Sequence, residues 1–129
     1  MKRSELREHI FKVLFGLEFV SPEEMPGQLY FGQLEDIKEK DRAYIQTKAL
    51  AVAEHLEDID ALLNASTTGW KTGRMNKVDL TILRLAVYEM KWDDDVPVSV
   101  AINEAVVLAK QFGGDDSSAF VNGVLAKIV

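Results

Sequence analysis

The sequence contains no cysteine and only two histidines among its 129 residues. The absence of thiols excludes disulfide bonds, thiolate metal sites and cysteine nucleophiles. The histidines, His9 and His55, both fall within predicted helices, and no His-Glu-x-x-His motif is present. The three consecutive acids Asp93–Asp95 are typical of a solvated turn. We therefore predict a protein that is not an enzyme and that has no metal and no cofactor.

Long apolar runs are also missing. No stretch free of Asp, Glu, Lys and Arg is longer than ten residues, whereas a membrane-spanning helix needs about 20 apolar residues. The first eight residues are charged throughout and contain no apolar signal core. These features predict a cytoplasmic protein that makes no contact with a membrane.

The charge is unevenly distributed. The net charge of −6 argues against an autonomous nucleic-acid binder, since such proteins usually have a basic surface. However, residues 1–12 contain four basic side chains against two acidic ones, and residues 70–77 contain three basic side chains and no acid. The chain is thus acidic with two local basic segments.

Apolar residues recur at helical spacing along most of the chain. This pattern predicts a first helix over about residues 4–19, a long helix from Asp41 to about Leu63, a helix capped by Asn76 that is apolar on most sides, and two further helices over 98–112 and from 117 onwards. No strand pattern is found. We therefore predict an all-α fold of two small helical lobes, residues 1–64 and 65–129, that meet at the polar stretch Asn64–Gly69.

Several polar and aromatic residues have two interpretations. Four polar residues within apolar helices either form an acid–base set or, as we favour, a hydrogen-bonded network that joins two core helices; they are Arg84, Glu89, Asn103 and Glu104. The stripe of Phe11, Phe15 and Phe19 either fills the core or leaves one ring for a partner. Phe120, at the start of the last helix, either enters the core or stacks on an unpaired base.

The second half of the sequence contains three distinctive blocks. The first is Trp70-x3-Arg74-Met75 followed by Val78-Asp79-x2-Ile82-Leu83-Arg84-Leu85-Ala86-x-Tyr88-Glu89-Met90. The second joins Asp95-Val96-Pro97 to Ala101-Ile102-Asn103-Glu104-Ala105-Val106. The third is Leu108-Ala109-Lys110-x-Phe112-Gly113-Gly114-x-Asp116-Ser117-x2-Phe120-Val121-Asn122-Gly123-Val124-Leu125. Together these blocks resemble the NusB family of transcription antitermination factors, and the first half resembles the family mainly in its layout.

This resemblance implies a two-lobed helical protein without covalent chemistry. It also implies a heterodimer with NusE, a small-subunit ribosomal protein. That pair would bind single-stranded boxA-type RNA of ribosomal RNA leaders and deliver it to the RNA polymerase antitermination complex.

The resemblance also assigns roles to individual residues. It implies RNA contacts by six residues, which are Lys2, Arg3, Arg7, Asp116, Phe120 and Asn122, and partner contacts by Phe15 and Asp79. Ser4, Glu5 and Leu6 interrupt a stretch that is often solid arginine in the family, and fewer cations predict weaker RNA binding without the partner. The alternative is a helical adaptor or homodimer that binds no RNA.

Overall fold

The computed structural model describes residues 1–17 and 37–129. These ranges contain six α-helices and a short 3-10 turn, and no strand. The helices are α1 (Arg3–Gly16), α2 (Glu39–Glu54), α3 (Leu56–Ser66), α4 (Lys77–Trp92), α5 (Val98–Phe112) and α6 (Ser117–Ile128), with the 3-10 turn at Thr72–Arg74. The predicted all-α class is confirmed. None of the helices in the described part of the chain is long and apolar enough to cross a membrane.

The chain divides into two compact units, Met1–Glu54 and His55–Val129. In the first unit α1 packs against α2. Their shared core consists of Ile10, Phe11, Val13 and Leu14 from α1 and Ile45, Ala49 and Val52 from α2. Phe19 and the predicted end of the first helix lie outside the described residues.

The predicted long helix is interrupted at His55, where α2 ends and α3 begins. The prediction of one continuous helix is therefore wrong. The apolar spacing continues across the break, and Ile45, Val52, Ile59 and Leu63 are all fully buried. At the break, the imidazole of His55 packs on Trp92, with ring centroids 4.8 Å apart, and on Tyr88, with ring centroids 5.5 Å apart. The division of the structure at this break differs from the predicted boundary after residue 64.

Helix α4 forms the centre of the second unit and packs against α3, α5 and α6. Six apolar residues cover most of its circumference and are all at most 4 % exposed: Leu80, Ile82, Leu83, Leu85, Ala86 and Val87. Helix α5 turns Ala101, Ala105 and Ala109 inward. Side chains at a helix contact set the distance between axes, so these small residues allow a close approach.

A side-chain ion pair joins α3 to α4. The Arg84 guanidinium donates from Nε to Asp60 Oδ1 at 2.9 Å and from Nη2 to Asp60 Oδ2 at 2.8 Å. The sequence predicted a role for Arg84 in joining helices, but not this partner. Asn103 is exposed, so its predicted place in a core network is wrong, whereas Glu89 is 1 % exposed.

The first turn of α4 is capped as the sequence predicts. The Asp79 backbone N–H donates to Asn76 Oδ1 at 2.8 Å, and Asn76 Nδ2 donates to Asp79 Oδ2 at 3.0 Å. The cap satisfies one of the backbone donors that a helix leaves unpaired at its start.

Replacing Leu83 with Ala is expected to destabilise the protein by about 2–5 kcal/mol, because a fully buried side chain would leave a cavity in the central helix. Urea denaturation followed by circular dichroism measures this free energy. A loss below about 1 kcal/mol would show that α4 does not carry the core.

Replacing Asn76 with Ala is expected to cost about 0.5–2 kcal/mol, because the N-cap acceptor is lost. Asn76→Ser is the matched control, since serine retains a capping oxygen and should preserve most of the stability. Equal denaturation midpoints for the two variants would contradict a stabilising cap.

Candidate nucleic-acid and partner interface

Asp79 combines a capping role with an unsatisfied oxygen. The residue is 6 % exposed, and its Oδ2 accepts the bond from Asn76. Its Oδ1 is buried and has no hydrogen-bond partner among the described residues. A buried acceptor without a donor is costly, so a donor brought by a ligand would be stabilised here.

The turn between α5 and α6 brings two further acids to the same place. At Gly113 a Cβ would lie 2.5 Å from the Ser117 Cβ and 2.7 Å from the Ala109 carbonyl oxygen, so only glycine fits. The Gly114 N–H donates to the Ser117 hydroxyl oxygen at 3.0 Å, and the Ser117 N–H donates to the Gly114 carbonyl at 3.1 Å. This closed turn holds the exposed residues Asp115 and Asp116 at the start of α6.

The segment after α3 is a hydrogen-bonded loop that presents Trp70. The Thr67 hydroxyl donates to the Trp70 carbonyl at 2.6 Å. Lys71 Nζ donates to the Asn64 carbonyl at 2.6 Å, and the Thr72 N–H donates to Asn64 Oδ1 at 2.8 Å. These bonds fix the backbone on both sides of Trp70, whose side chain remains 57 % exposed.

Trp70 and Phe120 form an aromatic pair with ring centroids 6.1 Å apart and an interplanar angle of 67°. Both rings line two cavities. The first cavity, of about 370 Å³, is also lined by Asn76, Asp79, Asp115, Asp116 and Ser117. The second, of about 230 Å³, is also lined by Thr67, Thr68, Gly123 and Lys127. The aromatic pair thus borders an acidic cavity and a cavity that contains a basic side chain.

Three of the predicted site residues meet at the first cavity. Asp116 and Phe120, predicted to contact RNA, line it together with Asp79, predicted to contact the partner. Asn122 is exposed on α6 but lines neither of these two cavities.

In the first unit the predicted basic residues differ in exposure. Lys2 and Arg3 are exposed, and their side chains form no hydrogen bond or ion pair with the residues that the structure describes. Arg7 is only 6 % exposed. Phe15 is half-buried and stacks on the buried Phe11, with ring centroids 6.1 Å apart.

Two residues of the second unit were not predicted as site residues. Trp70 entered the sequence analysis only as part of a family motif, and Lys127 was not considered. The signal that could have indicated the exposure of Trp70 is its position directly after the polar, glycine-containing stretch Asn64–Gly69. A weaker signal could have placed Lys127 beside Phe120. The two residues are seven positions apart on one helix, a separation that brings two side chains to the same face.

The comparisons with known proteins agree with this architecture. The NusB family model matches residues 4–129. A transcription antitermination protein NusB from Agathobacter rectalis is 52% identical over 129 residues, which cover 98% of each chain.

Solved structures give the same result. T. maritima NusB aligns with a TM-score of 0.87 at 33% identity, covering 99% of this chain and 90% of that one. The NusB-like chain of a crystal structure of antitermination factors NusB and NusE in complex with dsRNA aligns with a TM-score of 0.82 at 25% identity, covering 98% and 94%. Because the family model and a close relative both extend over almost its whole length, the chain belongs to the NusB family.

Proposed function

We propose that this chain is a transcription antitermination factor that binds boxA-type single-stranded RNA together with a NusE-type ribosomal protein. In this role it joins the RNA polymerase antitermination complex in the cytoplasm. The observation that carries the RNA-binding part is the partly exposed ring of Phe120, which lines both cavities at the start of α6. The relatives are named as antitermination proteins, and the chain is accordingly not an enzyme.

Aromatic rings at the surface favour unpaired RNA as the ligand. In a duplex the bases are stacked on one another, whereas the bases of a single strand are free to stack on a protein ring. Phe120 is partly exposed at the start of α6, and Trp70 is exposed beside it. This supports a single strand for the present chain, although the solved relative was crystallised with dsRNA and NusE.

The exposed cations of the first unit supply the charge contacts. Lys2 and Arg3 have no ion pair to break within the described part of the protein, so phosphate can approach them without that cost. Arg7 remains a predicted RNA contact, but its burial favours a supporting role within the first unit.

Phe15 and Asp79 are the proposed partner contacts. Phe15 offers a partly exposed ring on a rigid helix, and such rings are enriched in protein interfaces. Asp79 is almost fully buried, so it can contact a partner only through a donor that reaches its buried, unpartnered Oδ1 beside the first cavity. A charge-changing substitution at Asp79 would therefore disturb the N-terminal cap of α4 as well as the contact with the partner.

RNA affinity measured over a salt series, with the NusE-type partner present, tests the proposed RNA contacts. Lys2→Ala and Arg3→Ala are each expected to lower the magnitude of the log–log salt slope by about 0.7, because fewer counterions are released. Phe120→Ala is expected to weaken binding by about 1–3 kcal/mol and to leave the slope unchanged, because stacking releases no counterion.

Lys40→Ala is the matched control, since Lys40 is exposed in the first unit and has no proposed RNA contact. Unchanged affinity and salt slope in the folded Lys2→Ala, Arg3→Ala and Phe120→Ala variants would show that RNA does not contact these residues. If the partnered wild-type protein fails to bind RNA at low salt, the helical-adaptor alternative is correct.

A further inference from the structure

The two cavities on either side of the Trp70–Phe120 pair differ in charge. The first is lined by three aspartates, Asp79, Asp115 and Asp116. The second is lined by Lys127 and by no acidic residue. A phosphate is repelled from the first cavity and attracted to the second, so the aromatic pair separates regions of opposite preference for an anion.

Trp70 is held in a way that leaves its ring available. The backbone around it is fixed by the bonds of Thr67, Lys71 and Asn64, and Gly69 supplies the positive φ of +82° that the loop needs. Among the described residues, the side chain makes an aromatic contact with Phe120 alone, in an edge-on arrangement. With 57 % of its surface exposed, Trp70 presents a large rigid apolar area to the solvent. Ordering such a ring on a ligand costs little conformational entropy because its backbone is already fixed.

Lys127 is equally available. It is exposed in the last turn of α6, and it forms no ion pair with any residue in the ranges 1–17 and 37–129. It lines the second cavity together with the exposed Thr68, whose hydroxyl is a further donor. A cation and a hydroxyl beside an exposed indole match the two parts of a nucleotide, the phosphate and the base.

We propose that the second cavity holds one nucleotide of the bound RNA, with its base stacked on Trp70 and its phosphate paired with Lys127. The acidic first cavity then keeps the sugar–phosphate chain on the Lys127 side of the aromatic pair. This inference rests on the proposed RNA-binding function and adds two residues, Trp70 and Lys127, to the RNA contacts.

Fluorine NMR of the full chain labelled with 5-fluorotryptophan tests the stacking directly. The chain has two tryptophans, so two resonances are expected, and Trp70→Phe and Trp92→Phe assign them. Trp92 is the internal control. It packs on His55 and lies at the far end of the 16-residue helix α4, roughly 24 Å from the end that lines the first cavity.

The probe is a boxA-type single-stranded RNA added to the complex with the NusE-type partner. The Trp70 resonance is expected to shift on RNA addition while the Trp92 resonance stays in place. RNA binding, followed in parallel by fluorescence anisotropy, without a shift at Trp70 would overturn the inference and leave the proposed function standing. No RNA binding at all would overturn both. A Trp70 shift that the partner alone produces, and that RNA does not change, would show a protein-docking surface instead.

Affinity measurements give an independent check. Trp70→Ala is expected to weaken RNA binding about 5- to 150-fold with an unchanged salt slope, the range for one stacked base. Lys127→Ala is expected to lower the magnitude of the slope by about 0.7, whereas Lys110→Ala, which removes an exposed lysine of α5 outside both cavities, should not. Equal slopes for the two lysine variants would overturn the phosphate contact.

Discussion

A helix that is apolar on almost every side must be covered on every side, and α4 imposes this constraint on the second unit. Its buried face includes Leu80, Leu83 and Val87, so no single neighbour can remove it from water. Helices α3, α5 and α6 share that task, and the Arg84–Asp60 pair fixes one of them in place. The beginning of α4 is then the natural place for a site, because its first turn needs partners that the apolar core cannot provide.

The turn and the loop beside the start of α4 position the residues of the proposed interface. The tight turn at Gly113 places Asp116 at the start of α6, and the bonded loop before α4 presents Trp70. The two meet where Asn76 caps α4, so one structural junction brings a capping amide, a buried carboxylate and two aromatic rings together. The site is therefore built on backbone held by hydrogen bonds, which favours a preformed surface that binds a flexible ligand.

Sequence reasoning succeeded where local chemistry decides the structure and failed where distant contacts do. The cap by Asn76 and the burial of α4 follow from residue type and spacing, and both are observed. No glycine or proline stands at the helix break at His55, so the break has no local signal in the sequence. The break coincides instead with the packing of His55 on Trp92, a residue distant in sequence. For the same reason the burial of Arg7 and the pairing of Arg84 with Asp60 were not predictable.

The acidic net charge becomes compatible with RNA binding once charge is considered cavity by cavity, because the acidic residues beside the aromatic pair line the first cavity and Lys127 lines the second. In the proposed function, RNA and the NusE-type partner bind this chain jointly. Calorimetry of NusE-type partner binding, with and without saturating boxA-type RNA, tests it most directly. RNA is expected to tighten partner binding, and the partner is expected to tighten RNA binding by the same factor, as linkage requires. Partner affinity that is identical with and without bound RNA would contradict it.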